Sequence, residues 1–384
     1  MKIAILLDNK VNVWTLQLFE ALKDVFLITV FVGERNDYDT TETTLSRHLL
    51  THVEEIGLAL HSPFEAVSRL NAGGHRRTDY YYFSLRRYLE GYDAVFSCDI
   101  TRSAFTLSDL KDKYRFKFFL GWWENIPYRS MFDERIEFMK KRIMPEVDHF
   151  LPYTHTGKKA LSIEGVPEEK MTVVYPGIDL NKFSPGEKTT ELLDRYDIKK
   201  GAFVAAYVGQ LTSWKGVYNL MYAARVLKNR GVDDVIFVVA GKGAQRDMMI
   251  KMIGEMGVKE RFRFLDFLPY DRVQEVYNLA DVFVLPSYPT MTWQQQFGMV
   301  LAEAMGCGKP VISTLSGSIP EVVGGCGLLI PSGDFHALAD SLQRLMKDAS
   351  LRERLGKKAR ERAEEYFDAA KNSRLLYNVF ISTK

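Results

Sequence analysis

The sequence predicts an α/β protein made of two doubly wound (Rossmann-like) parallel-sheet domains. Three observations carry that prediction. Short apolar runs of strand length alternate with helix-like stretches, the order expected of a parallel sheet covered on both faces. The alternation is found on both sides of a charged, Gly- and Pro-bearing segment, Asn181 to Lys200. Finally, 384 residues suffice for two domains, each with a core of its own.

Composition narrows the function classes. The net charge of +2 gives no case for nucleic acid or a strongly acidic partner. The three cysteines, Cys98, Cys307 and Cys326, are scattered, so neither a metal spacing nor a disulfide framework is expected, and a reducing, cytoplasmic setting is. The first apolar run stops at Asp8, too short for a signal-peptide core, and no stretch approaches the roughly 20 apolar residues that span a bilayer.

In the first half, Ile3 to Leu7 reads as a buried strand, followed by the polar turn Asn9 to Asn12 and a helix over Val13 to Leu22. Further strand-length runs are Leu27 to Val32, Ala94 to Cys98, Phe116 to Leu120, His149 to Leu151 and Met171 to Tyr175. The stretch 76–88 is basic and aromatic together. It reads as a peripheral contact with an anionic membrane, at the inner membrane surface, or as an amphipathic helix with solvated arginines. Gly121 to Pro127 (GWWENIP) ends a strand, the edge at which open α/β sheets bind ligands, so Glu124 and Asn125 are acceptor-side candidates. Their plain structural role would be a helix cap beside core tryptophans.

In the second half, the strand Phe203 to Val208 closes on Gly209 to Gly216. Apolar residues at Val217, Leu220, Met221, Ala224 and Leu227 then form a helical stripe. Lys215 sits at that strand-to-helix corner, where an ammonium can neutralise a departing diphosphate. Val235 to Ala240 leads into Gly241-Lys242-Gly243-Ala244, which lacks the third glycine of a dinucleotide fingerprint. After the strand Val282 to Leu285, Gly298 opens a helix. The free amides of Gly298, Met299 and Val300 can hold a phosphate there, and Glu303 lies one turn on, placed to accept a pair of ribose hydroxyls. The helical Phe335 to Phe367 and a final segment, Asp368 to Lys384, complete the chain.

Gln295, seven residues, Glu303 and then Ala304-Met305-Gly306-Cys307-Gly308-Lys309-Pro310-Val311 resemble the signature of the family 4 retaining glycosyltransferases of the GT-B fold. The likeness is strong in the second half and loose in the first. It implies two domains facing a cleft: residues 1–180, completed by 366–384, on the acceptor side, and residues 181–365 holding the donor. It implies donor-binding roles for Gly209, Gln210, Lys215, Gly241, Leu268, Gln295, Phe297, Gly298, Met299, Val300 and Glu303, with Lys215, Glu303, Gln295 and Glu124 at the chemistry. Transfer would run from a nucleotide-diphosphate sugar to a sugar, glycan or lipid-linked acceptor, with retention, without metal and without a cofactor. Gln210 and Gln295 stand where the family has Arg and Glu. That change suits an altered donor, but also a nucleotide-sugar-binding protein with weakened or lost catalysis. A phosphorylase on the same fold is a further alternative.

Overall fold

The computed structural model describes residues 1–8, 11–33, 36, 40, 43–50 and 85–383. Apart from the turn of helix Leu85–Tyr88, the basic-aromatic stretch 76–88 lies outside these residues.

Two six-stranded sheets form the framework. The first contains β1 (Lys2–Leu6), β2 (Leu27–Gly33), β3 (Ser46–Leu50), β4 (Ala94–Cys98), β5 (Lys117–Trp122) and β6 (His149–Pro152). The second contains β7 (Phe203–Val208), β8 (Val235–Ala240), β9 (Phe262–Leu265), β10 (Val282–Leu285), β11 (Val311–Thr314) and β12 (Gly327–Ile330). All pairings are parallel. The orders β3-β2-β1-β4-β5-β6 and β12-β11-β10-β7-β8-β9 are the same doubly wound order written from opposite ends. Each sheet reverses direction once, between β1 and β4 or between β7 and β10, and a crevice opens at that point.

Burial follows from being covered on both faces. Every residue of β4 and β10 is buried, so these strands read as unbroken apolar runs rather than as alternation. Apolar cores lie on both faces of the first sheet, one holding Phe19, Phe96 and Phe380, the other Leu107, Phe118 and Phe150. The second lobe has one large core that includes Tyr207, Tyr277 and Phe283.

One expectation needs correction. Met171 to Tyr175 is not a strand: it makes a single bridge from Met171 to Phe150 and runs along β6 before Pro176 turns it away. The helical stretch Phe335 to Phe367 forms two helices, Phe335–Lys347 and Ala349–Tyr366, divided at Asp348, whose carboxylate caps the second at the Leu351 amide (2.8 Å).

The chain passes between the lobes twice, side by side. Ile178 N donates to Phe367 O (2.8 Å) and Ala369 N to Ile178 O (3.1 Å). A Cβ on Gly177 would collide with the Ala369 backbone, so only glycine permits this approach. Beyond the crossing, the last helix, Ala369–Ser382, returns to the first lobe. Leu376, Val379 and Phe380 enter its core, and Ser373 Oγ donates to Leu18 O (2.6 Å). Burying each of those three side chains is worth about 1.5–3 kcal/mol.

Candidate active site

A cavity of about 450 Å³ lies between the lobes, at the point where both sheets reverse. Leu7 and Cys98 reach it from the ends of β1 and β4, and Val208 and Leu285 from β7 and β10. Helix N-termini border it as well. Asn12 Oδ1 caps helix Val13–Glu20 at Thr15 N (2.8 Å), and Thr101 Oγ1 caps helix Arg102–Tyr114 at Ala104 N (3.2 Å). Across the cavity, Gly298, in the left-handed region at φ 91°, opens helix Met299–Gly306 with no side-chain cap. With three positive helix ends around it, the cavity favours an anion.

Gly209, Gln210, Lys215, Gln295, Phe297, Gly298, Met299 and Val300 all line this cavity, so most of the expected donor-side residues are brought together. The Lys215 ammonium donates to Gln295 Oε1 (2.9 Å) and lies 4.9 Å from the centre of the Trp293 ring. Ser287 Oγ donates to the same amide oxygen (3.0 Å). No ion pair between Lys215 and a carboxylate is seen among the described residues, and burial pulls its pKa down to about 8. A turn of 3₁₀ helix, Ser213–Lys215, sets the lysine in place, and Gly216 then takes a left-handed φ of 72°. A Cβ at Gly216 would strike the Pro286 carbonyl, so the loops after β7 and β10 meet only because this residue is glycine.

Other expected residues lie elsewhere. Glu303 is on the right helix but does not line the cavity. It is 4 % exposed, with Tyr277 Oη donating to Oε2 (2.6 Å) and Tyr270 Oη to Oε1 (3.2 Å). Burial raises its pKa to about 7, despite the two hydroxyls. Gly241 and Leu268 also fall outside the lining, because they follow β8 and β9, one and two strands away from the reversal point.

The acceptor-side pair Glu124 and Asn125 does not line the cavity either. Glu124 Oε1 accepts from the Asn125 and Ile126 amides (3.0 Å each), and Oε2 pairs with Arg129 (3.1 Å). Asn125 is buried against the other lobe: its Nδ2 donates to Gln295 O and to Ser318 Oγ (3.0 Å each). Glu124 is thus a local cap and Asn125 a bridge between the lobes. The cause is Asp99, in the left-handed region at φ 53°, whose Oδ1 accepts from Trp123 N (2.8 Å) and fixes the turn after β5.

The first-lobe wall is instead Asn12, Trp14, Thr15, Asp99, Thr101 and Trp123. They lie past the ends of β1, β4 and β5 or in the first turn of the helix that follows β1, and only the strand order shows which strands flank the crevice. Among the described residues no cluster of His, Cys, Asp and Glu could hold a metal ion, and no helix is long and apolar enough to cross a membrane.

Twin doubly wound sheets facing one another across a ligand cavity define the GT-B class of proteins. Comparison with known proteins places the chain within it. Residues 188–362 match the family described as Glycosyl transferases group 1. The D-inositol 3-phosphate glycosyltransferase of Corynebacterium glutamicum (strain R) is 35% identical over 227 residues, 56% of this chain and 53% of that protein. The protein of that name from Nocardia farcinica (strain IFM 10152) is 30% identical over 232 residues, 58% of this chain and 50% of its own. The chain therefore spans about half the length of the curated relatives it matches. The likeness to the group 1 glycosyltransferases lies in the second lobe. Two solved structures share the fold over 100% of both chains: Anabaena Alr3699/HepE in complex with UDP (TM-score 0.78, 19% identity) and sucrose-phosphate synthase from Thermosynechococcus elongatus (TM-score 0.76, 20% identity).

Proposed function

We propose that this protein transfers a sugar from a nucleotide-diphosphate donor, held by the second lobe, to a hydroxyl-bearing acceptor held by the first. The observation that carries the reading is the meeting of Lys215 with the uncapped N-terminus of helix Met299–Gly306 at one wall of the cavity. As the bond to the sugar breaks, negative charge builds on the departing diphosphate. The lysine ammonium and the free amides of Met299 and Val300 stabilise that charge without having to reorganise. On the opposite wall, Asp99 and Thr101 offer hydrogen bonds to acceptor hydroxyls and Trp123 an apolar face. The donor domain is taken as residues 181–365, and the acceptor domain as 1–180 with 366–384. Transfer proceeds with retention, the leaving phosphate taking the acceptor proton. Glu303 turns from its two tyrosines to the ribose when the nucleotide enters.

Gln210 and Gln295 favour a second reading, in which the chain binds a nucleotide sugar but turns it over slowly or not at all. Calorimetry and turnover with a panel of nucleotides and nucleotide sugars separate the two. Transferase activity requires donor binding together with transfer or slow donor hydrolysis, and Lys215→Ala should cut that rate about 100-fold or more. Binding with no turnover of any donor would favour the second reading, and no nucleotide binding would end both.

A further inference from the structure

Gln295 is 5 % exposed and lines the cavity. Its Oε1 is engaged by two donors, Lys215 Nζ at 2.9 Å and Ser287 Oγ at 3.0 Å. These bonds fix the orientation of the amide, because the flipped form would aim an NH₂ at an ammonium. Nε2 therefore points the other way, toward Gly298: it lies 3.5 Å from where a Cβ on that residue would sit. Among the described residues Nε2 has no protein acceptor. This NH₂ faces the cavity, so a ligand able to accept from it is favoured over one that cannot.

We infer that Gln295 sets the chemistry of the transferred sugar, and that the donor carries a hexuronic acid. This rests on the transferase reading above. Gln295 and Lys215 offer a ligand only donors, the amide NH₂ and the remaining N–H groups of the ammonium, while Gln210 and Gln296 line the same cavity with amides that can also accept. A sugar hydroxyl can accept from these two groups, but neither of them takes its proton. A carboxylate has two acceptor oxygens and no proton to place, and its charge faces the ammonium. The carboxylate in the cavity lining, Asp99, belongs to the opposite lobe and is held by Trp123 N. A glutamate at position 295 would invert this selection by presenting acceptors to the sugar and drawing the lysine into an ion pair.

The test is calorimetric titration of the wild type and Gln295→Glu with UDP, UDP-glucose and UDP-glucuronate, with thermal melting to show that both are folded. The wild type should bind UDP-glucuronate at least tenfold more tightly than UDP-glucose, and Gln295→Glu should abolish or reverse that order. Ser287→Ala, which loosens the amide, should shrink the preference. Equal affinities in the wild type, tighter binding of UDP-glucose, or a ratio unchanged in Gln295→Glu would overturn the inference while UDP binding left the donor seat standing. Failure of UDP and of every other nucleoside diphosphate in the panel to bind would remove the seat and this inference with it.

Discussion

At Lys215 the immediate neighbours decide the chemistry. Its partner is a neutral amide, and burial holds the pKa near 8 rather than the ordinary 10.5. Nucleotide-diphosphate affinity should therefore fall as pH rises through about 8, where the ammonium is lost. Calorimetry at pH 7, 8 and 9 checks this, and Gln295→Glu, which supplies a counter-charge, should move the fall to higher pH. Stability runs the other way. Between about 8 and 10.5 the unfolded chain binds the proton that the folded one has released, so this group makes folding more favourable as pH rises through that window. Glu303 has the opposite linkage: the folded protein keeps its proton up to about 7, while the unfolded chain loses it near the ordinary 4.5. Its contribution to stability declines as pH rises across that interval. Chemical denaturation of wild type and Glu303→Gln at pH 5, 6, 7 and 8 should show the two stabilities converging toward acid and the wild type falling behind toward neutrality.

At the scale of elements, the strand-loop-helix unit from β10 to Gly306 was legible because its signals are local. An apolar run, a glycine and a helical stripe follow one another within one stretch of chain. What escaped was long-range. Tyr270 and Tyr277 reach Glu303 from 33 and 26 residues away, and nothing near the helix announces them. Asp99 and Asn12 became visible as cavity residues only once β1 and β4 were seen side by side. β3, paired on one side only among the described residues and mostly exposed, has too few apolar residues to be read from its sequence, SRHLL. The meeting of two loops at Gly216 was equally hidden, since it depends on the Pro286 carbonyl. Gly216→Ala should destabilise the protein by about 2–4 kcal/mol, through a strained φ and a backbone collision, which a denaturant melt would show. A wild-type midpoint in that variant would mean that the loops do not touch.

At the scale of the whole molecule, the final helix is part of the first lobe although the second lobe precedes it in sequence. Ending the chain after Phe367 would uncover Phe19, Phe26 and Phe119, against which Phe380 packs. Such a truncation should lose cooperative unfolding of the first lobe and aggregate, whereas a cut after Ile381 should behave nearly as wild type in calorimetry. Contacts elsewhere hold the lobes together by polar bonds. Glu321 of the second lobe accepts from the backbone amides of His155 and Thr156 (2.6 and 2.9 Å) and from Tyr175 Oη (2.9 Å), and Arg129 donates to Thr292 O (2.5 Å).

The paired passage at Ile178 and Asp368 has a mechanical consequence. Two neighbouring connections on one line behave like the spine of a book. Swinging the covers leaves both threads unstretched, while sliding or wringing them would pull on both. Opening along that line would leave this crossing intact and break the cross-lobe bonds of Asn125, Arg129 and Glu321.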